Sequence, residues 1–486
     1  MTIHNGKDSS CDIAINTGVP QGAPLLPILF NIAINYIYEE LCDSQYANQY
    51  GYELSESFDA LSLLGFADDQ AIVGKSKESA IRSTDAVKIL LSEIGLRINP
   101  KKSQAINIEN GQLVEDTLTL SNGETIQTIN CADRIRYLGC SFNSELIFDN
   151  SCIEQLNSSL EKLESSPLLK PDQKLNVINQ YVFPTLTYPL QSAPLNKIPK
   201  YVTDGLDIMI RRTVKGIIGL PMRTNDNLFY APRRLRGLGL INVTWEAHLQ
   251  HFAIAKRLAT VDDQLFQSIS NCAEEMESCV KTLDVTGNST KALRTALRER
   301  CFEDWCNLKY QGAGVTHFRT FTKGNDFVCN KNTLSSSEWT AAIKLNSNYA
   351  SLNGVPGVES ASNLCRKCNG EIETIAHVTG SCPSNNQQII SRHHSVKHQL
   401  TKLLRQKGYD CYEEVYAVDS EGRSRFSDII ALDSKSRNAY ILDPTIRYEA
   451  NDDDKDSKIQ TGKRVIYEKC IPFYEERYSA RYGKRN

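Results

Sequence analysis

The sequence predicts an α+β chain of several domains, and three observations carry that expectation. Its 486 residues exceed what one hydrophobic core organises, since single cores stop growing near ~250–300 residues. Short apolar runs separated by turn residues, the mark of strands, crowd residues 1–145 and the last 95 or so, while the stretch from about 150 to 345 is periodic at helical spacing. Between the helical stretch and the last group lies LNSNYASLNGVPGVESASN at 345–363, rich in Asn, Ser, Gly and Pro, which reads as a loop or linker.

Taken in order, residues 11–19 (CDIAINTGV) read as a strand leading into the turn PQGAP, and Leu25 to Leu41 as a mostly apolar helix. Residues 61–74, LSLLGFADDQAIVG, read as two apolar strands around a tight turn. Ile81, Val87, Leu90, Leu91 and Ile94 recur at helical spacing and predict a helix over 79–94. GLRINPKKSQAI reads as a turn and a strand with a basic edge, and 134–142, RIRYLGCSF, as another strand. The final part predicts a helix at 393–407, strands at 412–418, 425–432 and 438–443, an acidic loop with Asp452-Asp453-Asp454, and a helix at 458–469. There is no internal repeat.

Composition narrows the function classes. Hydrophobic residues make up 41% and charged residues 23%, ordinary values for a globular protein. No run approaches the ~18 apolar residues of a membrane span. The start, MTIHNGKDSSCDIAIN, has neither the basic start nor the apolar core of a signal peptide, so a nuclear or cytoplasmic protein is expected. The 15 cysteines are scattered, as reduced thiols would be, and Cys272, Cys279, Cys301 and Cys306 in helix-like sequence are expected in the core. The net charge of −3 argues against nucleic acid by itself, but Lys197 to Thr260 hold 11 Lys or Arg against 4 acids, a local net of +7. Such a module either binds phosphates or is a solvated helical face.

Three constellations carry chemistry. Phe66-Ala67-Asp68-Asp69 places adjacent carboxylates in a hairpin. They repel unless a cation offsets them, and Mg²⁺ prefers hard carboxylate oxygens. Nucleotidyl transfer uses two such ions about 3.5–4 Å apart to hold the attacking 3′-oxygen and the leaving phosphate. A solvated Asp-Asp turn is the plain alternative. Cys365-x2-Cys368-x8-His377-x4-Cys382 offers three thiolates and one imidazole, a closed tetrahedral set for Zn²⁺, with Gly370 and Gly380 allowing tight turns. Ser427-Asp428-Ile429-Ile430 and Ile441-Leu442-Asp443-Pro444-Thr445 put two aspartates at the ends of neighbouring apolar strands, 15 residues apart, enough for a hairpin. Two carboxylates and a lysine make a Mg²⁺-dependent phosphodiesterase site; two strand-end aspartates in turns are the alternative.

In chain order, Gly18-Val19-Pro20-Gln21-Gly22-Ala23-Pro24-Leu25, the Asp68-Asp69 turn, Gly95-Leu96-Arg97-Ile98-Asn99-Pro100-Lys101-Lys102-Ser103 and Tyr137-Leu138-Gly139 resemble successive reverse transcriptase motifs. The resemblance implies that Pro20, Gln21 and Gly22 line the nucleotide and template site, Asp68 and Asp69 bind catalytic Mg²⁺, Lys101 and Lys102 lie near the incoming triphosphate, and the Tyr137 strand grips the primer end. The family also uses an aspartate on a strand upstream of Gly18. Only 17 residues precede that glycine, and neither Asp8 nor Asp12 resembles that strand, so this chain is expected to polymerise poorly. Leu26 stands where a small residue is usual, and Gln70 where an apolar one is.

The rest resembles the non-LTR retrotransposon class that carries a CCHC zinc knuckle and a restriction-enzyme-like endonuclease. Leu220-Pro221, Phe229-Tyr230, Pro232 and Gly237-Leu238-Gly239 match its thumb. Arg211, Arg212, Lys215, Arg223, Arg233, Arg234 and Arg236 are expected along the backbone of a template–primer duplex, and the stripe Ile208, Ile210, Val214, Ile217, Ile218 in the core. The Cys365–Cys382 knuckle is similar to the one that precedes the endonuclease in this class. Arg392-His393, Asp428, Asp443 and Lys463-x3-Tyr467 fit its version of the PD-(D/E)XK fold. Thr445 takes the lysine's usual place, so Lys463 on the later helix must supply it. Glu413 or Glu414 is the extra acid, and Ser427 replaces a usual proline. The implied organisation is α+β and multidomain, with a partial palm (1–145), a helical thumb (146–260), a helical linker (261–360), a zinc knuckle (361–390) and a small α/β nuclease domain (391–486). The intact element would nick a DNA target and prime reverse transcription of its RNA template from the freed 3′-hydroxyl. In this chain only Mg²⁺-dependent nicking is expected to survive; the alternative is a catalytically dead nucleic-acid-binding relic.

Overall fold

The computed structural model describes residues 4–5, 8–11, 25–54, 60–130, 133–143, 145–146, 148, 150–263, 265–266, 271–320, 322–330, 334–348, 350–356, 358, 360–433, 435–436, 438–448 and 454–482. The strand expected at 11–19, beyond Cys11, and its PQGAP turn lie outside these residues, as do Asp452 and Asp453. The chain divides into two compact units, one of Met1–Lys162, Val177–Ile210 and Ile241–Leu297, the other of Leu163–Asn176, Arg211–Leu240 and Arg298–Asn486.

The first unit begins with a short ladder of β1 (His4–Asn5) and β2 (Asp8–Ser9). Helix α1 (Leu26–Leu41) has a proline in its first turn, where the missing N–H costs nothing. One side of α1, Ile34, Ile37 and Leu41, packs on Leu63 of β3 (Leu63–Phe66) and on Val87 and Leu91 of α3 (Lys77–Glu93). The short α2 (Ser44–Tyr50) is capped by Asp43, and α3 by the Ser76 hydroxyl, which accepts from the Ser79 N–H. Strand β3 pairs antiparallel with β4 (Asp69–Ile72), as the sequence predicts. Small ladders follow: β5 (Ile108–Glu109) with β6 (Gln112–Leu113), and β7 (Thr117–Thr119) with β8 (Thr125–Gln127).

Two expectations change here. The strand expected after Lys101-Lys102 reduces to a single bridge of Ala105 to Thr128. The single strand at 134–142 is a hairpin, β9 (Ile135–Tyr137) against β10 (Cys140–Phe142). Leu138 (φ +48°) and Gly139 (φ +82°) both take the left-handed conformation, which folds the chain back in a two-residue turn.

The middle is helical as expected: α4 (Ser151–Ser165), α5 (Pro171–Val177), α6 (Pro184–Ser192), α7 (Lys200–Ile218), α8 (Asn227–Tyr230), α9 (Val243–Leu258), α10 (Cys272–Leu283) and α11 (Thr290–Cys306). In the first unit, Leu249 and Phe252 of α9, Cys279 and Leu283 of α10, and Leu293 and Leu297 of α11 share one core. Buried Asp207 accepts from the Val243 and Thr244 N–H groups at 2.8 and 3.2 Å, a second cap on the start of α9 beside Asn242. Cys279, Cys301 and Cys306 are buried, and burial pushes their thiols up to about 11, 12 and 11; Cys272 is only half-buried. Of the α7 stripe, Ile210, Val214 and Ile218 are buried, but Ile208 is 55% exposed, because it sits two residues from Ile210 and so off the buried face.

In the second unit, α12 (Ser336–Asn346) opens with a capping box of Ser335 and Glu338. The stretch after it is mostly turns, as its composition implies, yet it is tied down. The Asn353 amide donates to the Leu364 carbonyl at 3.0 Å, and Arg366 to that of Ser351 at 2.9 Å. Helix α13 (Asn386–Gln406) begins seven residues before the expected 393. Then come β11 (Asp410–Val418), β12 (Ser424–Asp433) and β13 (Asn438–Leu442), an antiparallel sheet with β12 in the centre. Helices α14 (Lys455–Glu468) and α15 (Ile471–Tyr482) close the chain; α15 escaped the sequence reading. Both faces of β12 are covered. Val415, Ala417, Ile430 and Leu432 pack with Cys470 and Tyr474 on one side, and Cys411, Ile429 and Ala431 with Leu404 of α13 on the other. Such double burial explains why β12 reads as a continuous apolar run. Among the described residues, no helix is long and apolar enough to cross a membrane.

Candidate functional site

The Asp-Asp turn closes a two-residue hairpin. Phe66 pairs with Asp69, and Ala67 adopts φ +52°, which tips Asp68 and Asp69 out into solvent. Gly65 lies close under α1: a Cβ there would sit 1.7 Å from the Tyr38 hydroxyl oxygen, so a larger residue would have to displace that side chain. Gln70, where an apolar residue is usual, hydrogen-bonds that same Tyr38. The Tyr137 hydroxyl is raised by burial and then by the charge of Asp69, so the Tyr-Leu-Gly hairpin lies within electrostatic reach of the acidic turn. Lys101 and Lys102 are exposed in a turn built by Asn99, whose side chain accepts from the Lys101 N–H at 3.2 Å and whose carbonyl accepts from the Lys102 N–H at 3.0 Å. Pro20, Gln21 and Gly22 lie outside the described residues.

The knuckle residues converge. One donor atom from each of Cys365, Cys368, His377 and Cys382 lies within 4.8 Å of the others. Cys365 and Cys382 are 1% exposed, and their sulfurs are 3.9 Å apart; the Cys368 sulfur is 3.2 Å from His377 Nε2. Backbone N–H groups of Cys368 and Lys367 point at the Cys365 sulfur and hold its thiol at about 6. His377 Nδ1 donates to the Glu371 carboxylate at 2.8 Å, which leaves the unprotonated Nε2 facing the sulfurs with its lone pair free to ligate a metal. Three sulfurs and one oriented nitrogen, with N–H groups ready to stabilise thiolate, fit Zn²⁺. Buried Glu373 braces the knuckle: it accepts from Arg366 Nε at 2.7 Å and from the Asn353 N–H at 2.7 Å.

The second convergence is at the open end of the β12–β13 ladder. Ile429 pairs with Leu442, so the register brings Asp428 opposite Asp443 as the strands part. Burial, and then the neighbouring Asp443 carboxyl, hold Asp428 above its ordinary range. Burial also pushes Asp443 up, but hydrogen bonds from Lys463, Tyr467 and Asp428 outweigh it and Asp443 stays below its ordinary value. Lys463 Nζ on α14 donates to Asp443 Oδ1 at 2.5 Å and to its carbonyl at 3.1 Å, and the Tyr467 hydroxyl donates to Oδ2 at 2.7 Å. His393 Nε2 of α13 is 3.2 Å from Asp428 Oδ2, and donor atoms of His393, Asp428 and Asp443 lie within 4.8 Å of one another. Two carboxylates, one imidazole and an adjacent ammonium suit a divalent cation working on a phosphate.

Glu413 and Glu414 are engaged elsewhere. Glu413 faces His398 at 3.5 Å, and Glu414 (φ +51°) pairs with buried Lys397. Ser427 keeps an N–H that proline lacks, and its buried hydroxyl bonds that of Tyr474 at 2.6 Å. The sequence reading placed His393 only as part of a motif. What it missed was the spacing His393, Lys397, Thr401, Leu404, a stripe along one side of α13 whose first members are polar.

Most of the basic residues expected on a duplex are spent on the protein itself. Arg211 Nη1 donates to the Tyr230 hydroxyl at 2.6 Å and Arg211 pairs with Asp226 at 3.2 Å; buried Lys215 donates to the Met222 carbonyl at 2.8 Å. Arg233 bonds the Leu238 carbonyl at 2.9 Å and Asn176 at 3.0 Å, and Arg234 pairs with Glu299. Arg236, at φ +62°, bonds Asn325 at 2.6 Å and lies 4.3 Å from the centre of the Phe318 ring. Arg212 and Arg223 are exposed.

Comparison with known proteins finds similarities of two kinds. Residues 2–142 match the family model described as reverse transcriptase (RNA-dependent DNA polymerase). A retrovirus-related Pol polyprotein from type-1 retrotransposable element R2 of Popillia japonica is 24% identical over 498 residues, covering 99% of this chain and 77% of its own. Its counterpart from Nasonia vitripennis is 24% identical, covering 96% of this chain and 43% of its own. The Pol polyprotein from type-2 retrotransposable element R2DM of Drosophila melanogaster is 23% identical, covering 85% and 39%. The chain thus spans less than half the length of the last two. Residues 2–142 are thus similar to reverse transcriptase domains, and the chain is similar along nearly its whole length to R2 retrotransposon Pol polyproteins.

Proposed function

We propose that this chain is a retrotransposon reverse transcriptase–endonuclease polypeptide whose second unit nicks DNA at the Asp428–Asp443–Lys463 cluster. The observation that carries this is the Lys463 ammonium 2.5 Å from Asp443 beside a second carboxylate, supplied from a helix where Thr445 leaves the strand position empty of a cation. Mg²⁺ held by Asp428 and Asp443 would polarise the scissile phosphate and acidify a bound water. Lys463 offsets negative charge developing on the phosphate. Tyr467 holds the other oxygen of Asp443 and so fixes the rotation of that carboxylate. The knuckle of Cys365, Cys368, His377 and Cys382 holds Zn²⁺ structurally and presents a nucleic-acid surface ahead of the nuclease fold.

The reverse transcriptase domain takes an RNA template and a DNA primer. Asp68 and Asp69 are its metal-holding carboxylates, and Pro20, Gln21, Gly22, Lys101 and Lys102 its nucleotide and template contacts. The domains follow as palm over 1–145, thumb over 146–260, linker over 261–360, knuckle over 361–390 and nuclease over 391–486.

The test is Mg²⁺-dependent nicking of supercoiled plasmid by the purified, zinc-loaded protein, with Asp443→Ala alongside. Nicking that the variant loses is the expected result. A folded, zinc-loaded protein that does not nick would overturn the enzyme reading and leave a nucleic-acid-binding relic.

A further inference from the structure

Helix α13 lies on the sheet through a stripe that begins with two polar residues. Thr401 and Leu404 lie deeper along it, Thr401 fully buried and Leu404 in the core beside Ile429 and Ala431. One turn further toward the N-terminus is Lys397, 2% exposed and paired with Glu414. The turn before that is His393, where α13 passes the parting strands that carry Asp428 and Asp443. An apolar residue at this point would bury surface at no electrostatic cost. The imidazole instead sets Nε2 3.2 Å from Asp428 Oδ2 and 3.1 Å from the Pro444 carbonyl oxygen. One oxygen each from Asp428 and Asp443 and one imidazole nitrogen therefore lie within 4.8 Å of one another, with the Pro444 carbonyl on the histidine side.

We propose that His393 Nε2 is a protein ligand of the divalent-metal site of Asp428 and Asp443, and that it tunes this site toward a first-row transition ion such as Mn²⁺ over Mg²⁺. This rests on the reading of that cluster as a metal-dependent nuclease centre. Nε2 faces the Asp428 carboxylate and the Pro444 carbonyl, and with the ring proton on Nδ1 its lone pair would be free to ligate a cation held by Asp428 and Asp443. Mg²⁺ prefers oxygen throughout its coordination sphere, whereas first-row transition ions accept imidazole readily. Glu413 and Glu414, the acids that would have completed an all-oxygen set, are turned to His398 and Lys397. The competing account of His393 is a structural clamp from α13 to the end of β13.

Pulsed electron paramagnetic resonance of Mn²⁺ added to the zinc-loaded, full-length protein separates the two. The expected result is a ¹⁴N coupling on bound Mn²⁺ that changes when only histidine is labelled with ¹⁵N and disappears in His393→Asn. His393→Asp, which restores an oxygen donor, should retain bound metal and shift the Mn²⁺-over-Mg²⁺ preference toward Mg²⁺ by about tenfold in competition. Bound Mn²⁺ that is lost in Asp443→Ala but shows no histidine nitrogen coupling in the unsubstituted protein overturns the inference and leaves the carboxylate site standing. Mn²⁺ binding that is absent, or indifferent to Asp443→Ala, overturns the metal-site reading itself.

Discussion

Lys463 reaches Asp443 from α14, one side chain crossing to a strand 20 residues earlier. The consequence is that charge and fold can be separated there. Lys463→Met keeps the aliphatic stem and its packing but removes the ammonium. Single-turnover nicking should fall about 10²–10³-fold, the usual loss for one preorganised electrostatic group, with thermal melting little changed. A nicking rate within threefold of the unsubstituted protein would show that the lysine is only an anchor. A second residue-scale case lies in the turn between β11 and β12. Asp419 accepts from the Arg423 N–H at 2.9 Å and the Glu421 N–H at 3.0 Å, and from the Arg423 and Arg425 guanidinium groups. These hold its carboxyl at about 2. The folded-state value is depressed, so Asp419 stabilises the fold above the unfolded value near ~4. That contribution disappears as pH falls through about 2. Melting curves of the unsubstituted protein and Asp419→Asn should therefore differ by several degrees at pH 5 and converge by pH 2.

At the scale of elements, β12 and the knuckle depend on different things. Ile430 is 1% exposed, pairs with Tyr412 on one side and Ile441 on the other, and packs beside Tyr474. Ile430→Ala should cost about 3 kcal/mol in denaturant titration of the β11–β13 sheet. For the Cys365–Cys382 cluster, the proposed zinc would supply the stabilising energy. Cys382→Ser should release its zinc, read by metal analysis as a fall from one zinc per chain toward none, and loosen 365–382 to proteolysis while β11–β13 stay protected. The same contrast explains what could be read in advance. Strands β11–β13 and the Cys365–Cys382 ligand spacing were legible because short apolar runs bounded by turn residues and metal-ligand spacing are local signals. The β9–β10 hairpin was read as one strand because its turn is Leu138-Gly139, and a leucine at φ +48° carries no turn signal. Helix α15 was missed although Tyr474 and Tyr478 stand four apart; Pro472 sits in its first turn, where a proline is compatible with a helix. His393 was named in the sequence only as part of a motif; its contact with the cluster at Asp428 and Asp443 was not legible because it comes from a helix 35 residues upstream of Asp428, and sequence separation says nothing of such contacts.

For the whole molecule, a net charge of −3 must be reconciled with a polyanionic substrate. The local surplus of +7 between Lys197 and Thr260 suggested seven backbone contacts, yet Arg211, Lys215, Arg233 and Arg236 are built into the fold. Counting charges along a segment cannot tell a phosphate-facing guanidinium from one that braces its own chain; burial and partners can. Arg212 and Arg223 are the exposed members with no such bracing role in their neighbourhood's geometry, so they should carry the electrostatic binding. Neutralising both, as Arg212→Gln with Arg223→Gln, should reduce the slope of log affinity for duplex against log salt by about 2 and leave melting unchanged. Arg236→Ala should do the opposite. It strands Asn325 and Asn346 and empties the space against Phe318, costing about 3 kcal/mol in unfolding, while the salt slope of the remaining folded protein stays the same. If the double glutamine variant kept the full salt slope, phosphate contacts would have to come from outside this segment, and its surplus of positive charge would be architecture alone.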